Sequence, residues 1–459
     1  MSDTDQKPGS PSSPVIDRAS SHDSRSPSLP NGMVGDSPAL RPPLNYIVVV
    51  GQFVAVVVLF PYHLVKYAVF PSSRPRRRWT VLEAATVPAV RRIMRAMDSC
   101  GFKISVRDPF VAPINRFPLK LRDVKFEWVE SIPDDLVGGI IDDKFVAQRD
   151  RVGMYSWRRP DAKRKAEGQG KGGLGEGDKL VGLFFHGGAY THNSAHPSSP
   201  SSVIPATLFK KAPRFSSMHS TEYRLLPHYP FPAALQDCAA VYVSLLRRGV
   251  KGHQIILIGD SSGGHLALAL ARWAKDILKS GKGNLRDEGE GGKDGEKRQW
   301  RMEEPGGLIL FSPWTDPSHS YLDSTPETYV PRKNDCDYLF EEGPFRHHIV
   351  DSLLGSHEKE FVLSPYISPG APLQDPAIFA DFPPTFVHYG TGERCMAEGM
   401  RLVEKMQKAG VMVDVTVTED TVHDIMLLAK MWNKKQIQQV WDGAFGFVKK
   451  LDGKEGRDS

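Results

Sequence analysis

Ile255-Ile256-Leu257-Ile258 is a short run of apolar, mostly β-branched residues, the pattern of a strand buried on both faces. Gly259-Asp260-Ser261-Ser262-Gly263 follows at once. Leu266-Ala267-Leu268-Ala269-Leu270 then opens a helix that is apolar on most of its faces. Strand, Gly-x-Ser-x-Gly and helix in this order make a sharp turn that holds a serine away from the backbone. Gly259 and Gly263 allow strand and helix to approach without a Cβ clash. Ser261 then stands in a strained conformation at the positive end of a helix dipole. The pattern also fits an ordinary βα turn with Ser262 as N-cap, so the rest of the chain has to choose.

The chain has 459 residues, enough for one large α/β domain with additions. A core of that size needs no disulfide staples. Cys100, Cys238, Cys336 and Cys395 are far apart, with neither metal-ligand nor redox spacing, and read as buried free thiols. The net charge of +5 is small, and no basic stripe is interleaved with aromatics, which argues against nucleic acid as a partner.

Residues 1–43 are rich in Ser and Pro, too polar to offset their ordering entropy, and read as a disordered tail. Leu44 to Phe60 is a 17-residue apolar run, continued to Phe70 after Pro61 and closed by Arg74, Arg76, Arg77 and Arg78. Residues 44–70 therefore read as a membrane anchor that Pro61 ends or kinks. The alternatives are a helix packed on the soluble core, or one lying in the bilayer interface. Five Lys/Arg and no acid lie between Lys66 and Arg78, against five Asp and four Lys/Arg in the first 43 residues. The charge bias favours a cytosolic catalytic domain on a single-pass segment, with the endoplasmic reticulum as the expected membrane. No Asn-x-Ser/Thr sequon occurs, in weak agreement.

Residues 71–122 read as linker and cap, with a helical stripe over 79–98 that Pro88 interrupts. The main domain is expected over 123–451, with a short tail at 452–459. Two Gly/Lys/Glu-rich insertions, 161–178 and 280–305, look too polar to pack. Between them alternate strands (near 180–185, 255–258, 308–311, 384–390 and 411–417) and helices (near 232–248, 396–408 and 433–451). That alternation specifies a mostly parallel central sheet flanked by helices.

Leu180-Val-Gly-Leu-Phe-Phe185 runs into His186-Gly187-Gly188-Ala189-Tyr190, where glycines permit backbone N–H groups to turn toward a ligand. Serine acyl transfer needs a nucleophile, a base, a group that orients the base, and donors for the oxyanion. Ser261, Glu393 and His423 each follow an expected strand, in the chain order nucleophile, acid, base.

With these motifs assembled, residues 180–450 resemble the hormone-sensitive-lipase family of α/β-hydrolases, which includes bacterial esterases, arylacetamide deacetylases and fungal steryl deacetylases. The resemblance rests on His186-Gly-Gly-Ala-Tyr190, Tyr223-Arg-Leu-Leu-Pro227, Phe231-Pro-Ala-Ala-Leu-Gln-Asp237, Gly259-Asp-Ser-Ser-Gly-Gly264 and Ser312-Pro-Trp-Thr-Asp316. It implies the α/β-hydrolase fold with an N-terminal helical cap. It implies Ser261 as nucleophile, His423 as base and then acid, and an oxyanion hole from the Gly187-Gly188-Ala189 stretch and Ser262. His186, Gly259, Asp260 and Gly263 support these motifs, with His186 bracing the loop. The family's usual third member is Asp; here Glu393 holds the matching place, with Asp316 and Asp424 as rivals. Asp424 is disfavoured because it would have to fold back on its neighbour His423.

The resemblance implies ester hydrolysis with no metal or organic cofactor. An apolar segment beside the site favours a short-acyl ester of a hydrophobic alcohol, such as a sterol or secondary-metabolite acetate. Amide hydrolysis on the same residues, acyl transfer to an alcohol, and a non-catalytic ligand-binding role remain as alternatives. Nothing in the sequence specifies an oligomeric state.

Overall fold

The computed structural model describes residues 42–113, 124–159, 179–286, 299–320, 336–339 and 344–451. The expected 161–178 insertion, the 452–459 tail and the 1–43 tail up to residue 41 lie outside them. Eight strands form one sheet. They are β1 (Val124–Glu130), β2 (Arg151–Arg158), β3 (Leu180–Phe185), β4 (Phe215–Glu222), β5 (Ile255–Asp260), β8 (Gly307–Phe311), β9 (Thr385–Gly390) and β10 (Val413–Thr418). Their order is β1-β2-β4-β3-β5-β8-β9-β10. The first two pairings are antiparallel and the rest parallel.

The parallel strands are covered on both faces, which is why they read as unbroken apolar runs. Ile255 and Leu257 of β5, with Leu308 and Leu310 of β8, enter one core layer. That layer lies under α4 (Ala233–Arg247), α5 (Ser262–Lys279) and α7 (Met396–Lys408). Ile256, Ile258, Ile309 and Phe311 enter the other layer. It is closed by α2 (Val81–Ser99), α3 (Val203–Lys211), α8 (Lys434–Lys450) and the end of α1 (Leu44–Val69). A further helix, α6 (Pro344–Leu354), lies in the long β8–β9 connection. Each fully buried Ile or Leu contributes about 1.5–3 kcal/mol relative to exposure.

Four expectations change. α5 begins at Ser262, four residues before the apolar run. Gly263 and Gly264 belong to its first turn: a Cβ at Gly263 would sit 2.0 Å from the Phe185 carbonyl oxygen, and one at Gly264 2.7 Å from Pro313 Cβ. α1 continues through Pro61, and α2 through Pro88. Each proline removes one backbone hydrogen bond, and packing of the two helices on each other and on the body outweighs that loss. The start of α2 is secured by a capping box in which Thr80 and Glu83 exchange side-chain-to-backbone hydrogen bonds (2.7 and 3.2 Å). Finally, the ends of the 280–305 insertion do pack. β6 (Asn284–Arg286) and β7 (Gln299–Arg301) pair antiparallel, and Trp300 and Met302 enter the core.

The Tyr223–Pro227 and Phe231–Asp237 motifs meet around one buried carboxylate. Asp237 accepts from the backbone N–H of Arg224 (2.8 Å) and from its guanidinium (3.1 Å), and Arg149 lies 3.4 Å away. Arg224 also donates to Gln236 and to the carbonyls of Ala147 and Ala233. Removing one partner of a buried pair strands a charge without solvent, which costs about 3–5 kcal/mol. Asp237→Ala is therefore expected to lower the unfolding free energy in urea by about that amount. A loss below about 1 kcal/mol would mean that water reaches the arginines.

Candidate active site

The tip of β5 carries Ser261 at φ 50, ψ −119, a region that side chains rarely occupy. A Cβ at Gly259 would come within 2.2 Å of the Gly263 carbonyl oxygen, so only glycine lets strand and helix meet here. The Ser261 N–H donates to Phe311 of β8, and its carbonyl accepts from Trp314, Gly264 and His265. The backbone of the turn is thus held from both sides while the side chain faces a cavity.

That cavity has a volume of about 350 Å³. Ser261, His423, Gly188, Ala189, Asp260 and Asp424 line its polar end. Val90 and Met94 of α2, Ile104, Leu339, Ile349 and Leu427 line the apolar remainder. The segment expected to act as a cap thus supplies part of the wall.

His423 follows β10 and is buried. Its Nδ1 lies 3.0 Å from Glu393 Oε2, and its Nε2 lies 3.3 Å from Asp424 Oδ2. Asp424 does fold back on its neighbour, because its backbone is left-handed (φ 44, ψ 48). The steric reason for setting it aside does not hold; it occupies the opposite side of the imidazole from Glu393. Asp316, the other rival, is buried and paired with Arg401 at 2.9 Å and with Ser318 at 2.5 Å.

Glu393 is fully buried, and burial pushes its carboxyl up to about 8, while the Gly390 N–H and the Ser312 hydroxyl pull it back. Asp424 is likewise held well above the usual carboxylate range, by burial and then by the charges of Asp260, Glu393 and Asp337. Asp337 lies outside every motif. Its carboxylate accepts from the backbone N–H of Arg394 (2.8 Å) and of His423 (3.3 Å), tying together the two segments that present Glu393 and His423. It comes from a connection with no clear period, so no sequence signal marked it.

The loop after β3 carries Gly188, Ala189 and Tyr190 at φ 114, 53 and 60. The Gly187 N–H is taken by Asp260 Oδ1 at 2.9 Å, which removes it from the expected oxyanion donors. Gly188, Ala189 and Ser262 remain. Ser262 is the first residue of α5, where backbone N–H groups have no partner within the helix. Asp260 also accepts from Ser201 (3.2 Å), and burial pushes its carboxyl up to about 7. His186 stacks on Tyr223 with ring centres 4.3 Å apart. Tyr223 Oη donates to the His186 carbonyl at 2.5 Å, and Asn193 donates to the Gly187 carbonyl at 3.1 Å. Burial lowers His186 to about 4, so its ring is neutral at physiological pH. Asp260, Tyr223 and Asn193 hold the loop in its left-handed shape. Among the described residues, no group of three or more His, Cys, Asp and Glu could hold a metal ion.

Comparison with known proteins gives the family. Residues 182–427 match a family model described as alpha/beta hydrolase fold. The chain is 27% identical over 266 residues to Esterase LipU of Mycobacterium tuberculosis, an alignment spanning 56% of this chain and 73% of the relative. It is 28% identical over 266 residues to an esterase of Acinetobacter venetianus, spanning 57% and 67%. A solved hormone-sensitive lipase from a metagenome library is 24% identical, with a TM-score of 0.46, over 65% of this chain and 82% of that one. The family match covers more than half of the 459 residues, including the Ser261 turn, Glu393 and His423, and the chain belongs to the alpha/beta hydrolase fold family.

Proposed function

We propose that this chain, an ester hydrolase by family, acts through an acyl-enzyme on Ser261, with His423 as base and Glu393 as its orienting acid. The observation that carries the reading is a strained serine sharing one cavity with an imidazole whose far nitrogen lies 3.0 Å from a buried carboxylate. Ser261 Oγ attacks the carbonyl carbon of the ester and passes its proton to His423 Nε2. The carbonyl oxygen, now an anion, is received by backbone N–H groups of Gly188, Ala189 and Ser262, each contributing about 3 kcal/mol to the transition state. Collapse breaks the ester C–O bond, and the leaving alcohol takes the proton from His423. Water then repeats the sequence and releases the acid. Glu393, once ionised, accepts the Nδ1–H bond and stabilises the imidazolium.

The apolar wall of the cavity favours a hydrophobic alcohol such as a sterol or secondary-metabolite acetate, and the modest volume favours a short acyl group. Membrane association through residues 44–70 brings the site to such substrates. α1 is long and apolar enough to cross a bilayer by length and composition.

Assay on p-nitrophenyl esters from acetyl to palmitoyl is expected to give highest kcat/KM at the short end. Ser261→Ala is expected to lose at least ~10³-fold in kcat and all labelling by a fluorophosphonate. Labelling of another serine would end the assignment. Glu393→Gln is expected to lower kcat by about 10⁴-fold by fixing the wrong imidazole tautomer. Asp424→Asn is expected to lower it less than about tenfold, because Asp424 lies away from the Nδ1 proton. Equal losses would make Asp424 the orienting acid or its equal.

Buried titratable groups also set the pH dependence of stability. Burial raises Glu222 and Glu393 to about 8 and Asp260 to about 7. Their extra stability is fully present below the ordinary carboxylate range and is lost progressively as pH rises from about 4 to their raised values of 7 to 8. Burial lowers His186 and His265 to about 4, and His219 and His388 to about 3. Their penalty is relieved as pH rises from about 4 to 6.5. The two sets oppose each other up to about pH 6.5, and above it only the carboxyls still act. Thermal melts are expected to show Tm declining from pH 6.5 to about 8; a flat or rising Tm in that window would contradict the carboxyl shifts.

A further inference from the structure

α1 is long enough to cross a bilayer, but its packing does not suit a crossing. One stripe of the helix, including Val48, Gln52, Val56, Leu59 and His63, is half-buried along nearly its whole length, and Tyr67 is buried. That stripe faces Pro88, Ala89, Arg91, Arg92, Arg95 and Ala96 of α2 across a groove of about 390 Å³. Arg92 donates to Gln52 at 2.7 Å, well inside the span. α2 is in turn part of the hydrolase body, with Ala84, Ala85 and Val87 in its core. A crossing α1 would carry three arginines and the flank of this body into hydrocarbon. Each arginine near the centre would cost several times the thermal energy even by the most lenient measure.

The opposite face is different. Ile47, Val50, Val54, Val57, Val58 and Val65 are 58–72% exposed and form a continuous apolar strip without a charge. A strip of this extent on a folded protein marks an interaction site. Cations flank the helix: exposed Arg92 and Arg95 stand on its α2 side, and Lys66 and exposed Arg77 lie beyond the C-terminal end of the strip. Apolar side chains flanked by cations match the acyl region and anionic headgroups of one leaflet. A second copy of the same face would bring these cations together.

We propose that α1 lies flat in one leaflet, with the Val50–Val65 face among the acyl chains and the flanking arginines at anionic headgroups, and that it does not cross. The proposal rests on the membrane association proposed above and assigns its geometry. α2 then separates lipid from the catalytic cavity, with Arg92 and Arg95 on the lipid side and Val90 and Met94 on the cavity side.

The test uses the full chain with different epitope tags at its two termini, in sealed microsomes treated with protease from outside. A flat α1 puts both tags on one side, so both are lost or both are protected. One tag protected and the other lost means a crossing helix and overturns the proposal. With vesicles of phosphatidylcholine and phosphatidylserine, the chain is expected to float at least tenfold more than with phosphatidylcholine alone. Val54→Glu with Val58→Glu is expected to cut flotation at least tenfold while activity on a water-soluble ester stays within twofold. Undiminished flotation of that variant overturns the flat geometry. Failure of the native chain to bind any membrane removes the association itself. A soluble dimer that the double substitution splits would give the face to a second copy, which also overturns the proposal.

Discussion

The steric crowding around Ser261 is the constraint on which the rest depends. Its backbone sits at φ 50, ψ −119 because β5 must end and α5 begin within one residue. That is possible only where Gly259 and Gly263 carry no Cβ, with neighbouring carbonyl oxygens about 2 Å from where one would lie. The strain has a cost of order 1–3 kcal/mol, which the burial of Ile255–Ile258 and of the apolar residues of α5 offsets. The same turn points the side chain into the cavity and puts the first backbone N–H groups of α5 beside it. One local distortion therefore sets both the place of the hydroxyl and part of the environment that would receive an oxyanion.

The second organising feature is a crowd of buried carboxyls, Asp260, Asp337, Glu393 and Asp424. Burying so many in one region is unfavourable for all of them in charged form, and each is displaced upward. Backbone N–H groups hold three of them: Gly187 on Asp260, Arg394 and His423 on Asp337, and Gly390 on Glu393. These bonds do not merely compensate for burial. Asp260 ties the HGGA loop to the elbow and Asp337 ties together the two segments after β9 and β10, while the Gly390–Glu393 bond closes the turn that presents Glu393.

What could be read from sequence was what is local. The Ser261 turn, the strand before His186 and the helical stripe of α7 are each written in consecutive residues, and each appears where its pattern put it. The role of Glu393 was open because a longer acid in an aspartate's place can be judged only by its distance to the imidazole. Asp337 was invisible for a stronger reason: its function is to accept hydrogen bonds from the backbones of Arg394 and His423, and no side-chain pattern records a backbone partner. Gly187 shows the converse error. Its place in a glycine-rich motif suggested an oxyanion donor, yet its N–H is already committed to Asp260. Pro61 was read as an end or kink and Pro88 as an interruption because propensity weighs the lost hydrogen bond but not the packing of α1 on α2.

The apolar run at 44–60 shows the same limit at a larger scale. Hydropathy measures how little a segment prefers water; it does not say whether lipid or protein takes water's place. In α1 the helix is divided lengthwise, with Gln52 and His63 on the protein side and the exposed valines opposite. That division gives α2 a special position, since its residues face α1 at Arg92 and the cavity at Val90 and Met94. A flat α1 makes the membrane surface the outer boundary of the segment that walls the site. An ester dissolved in that leaflet would then meet the enzyme at the α1–α2 pair rather than through bulk water.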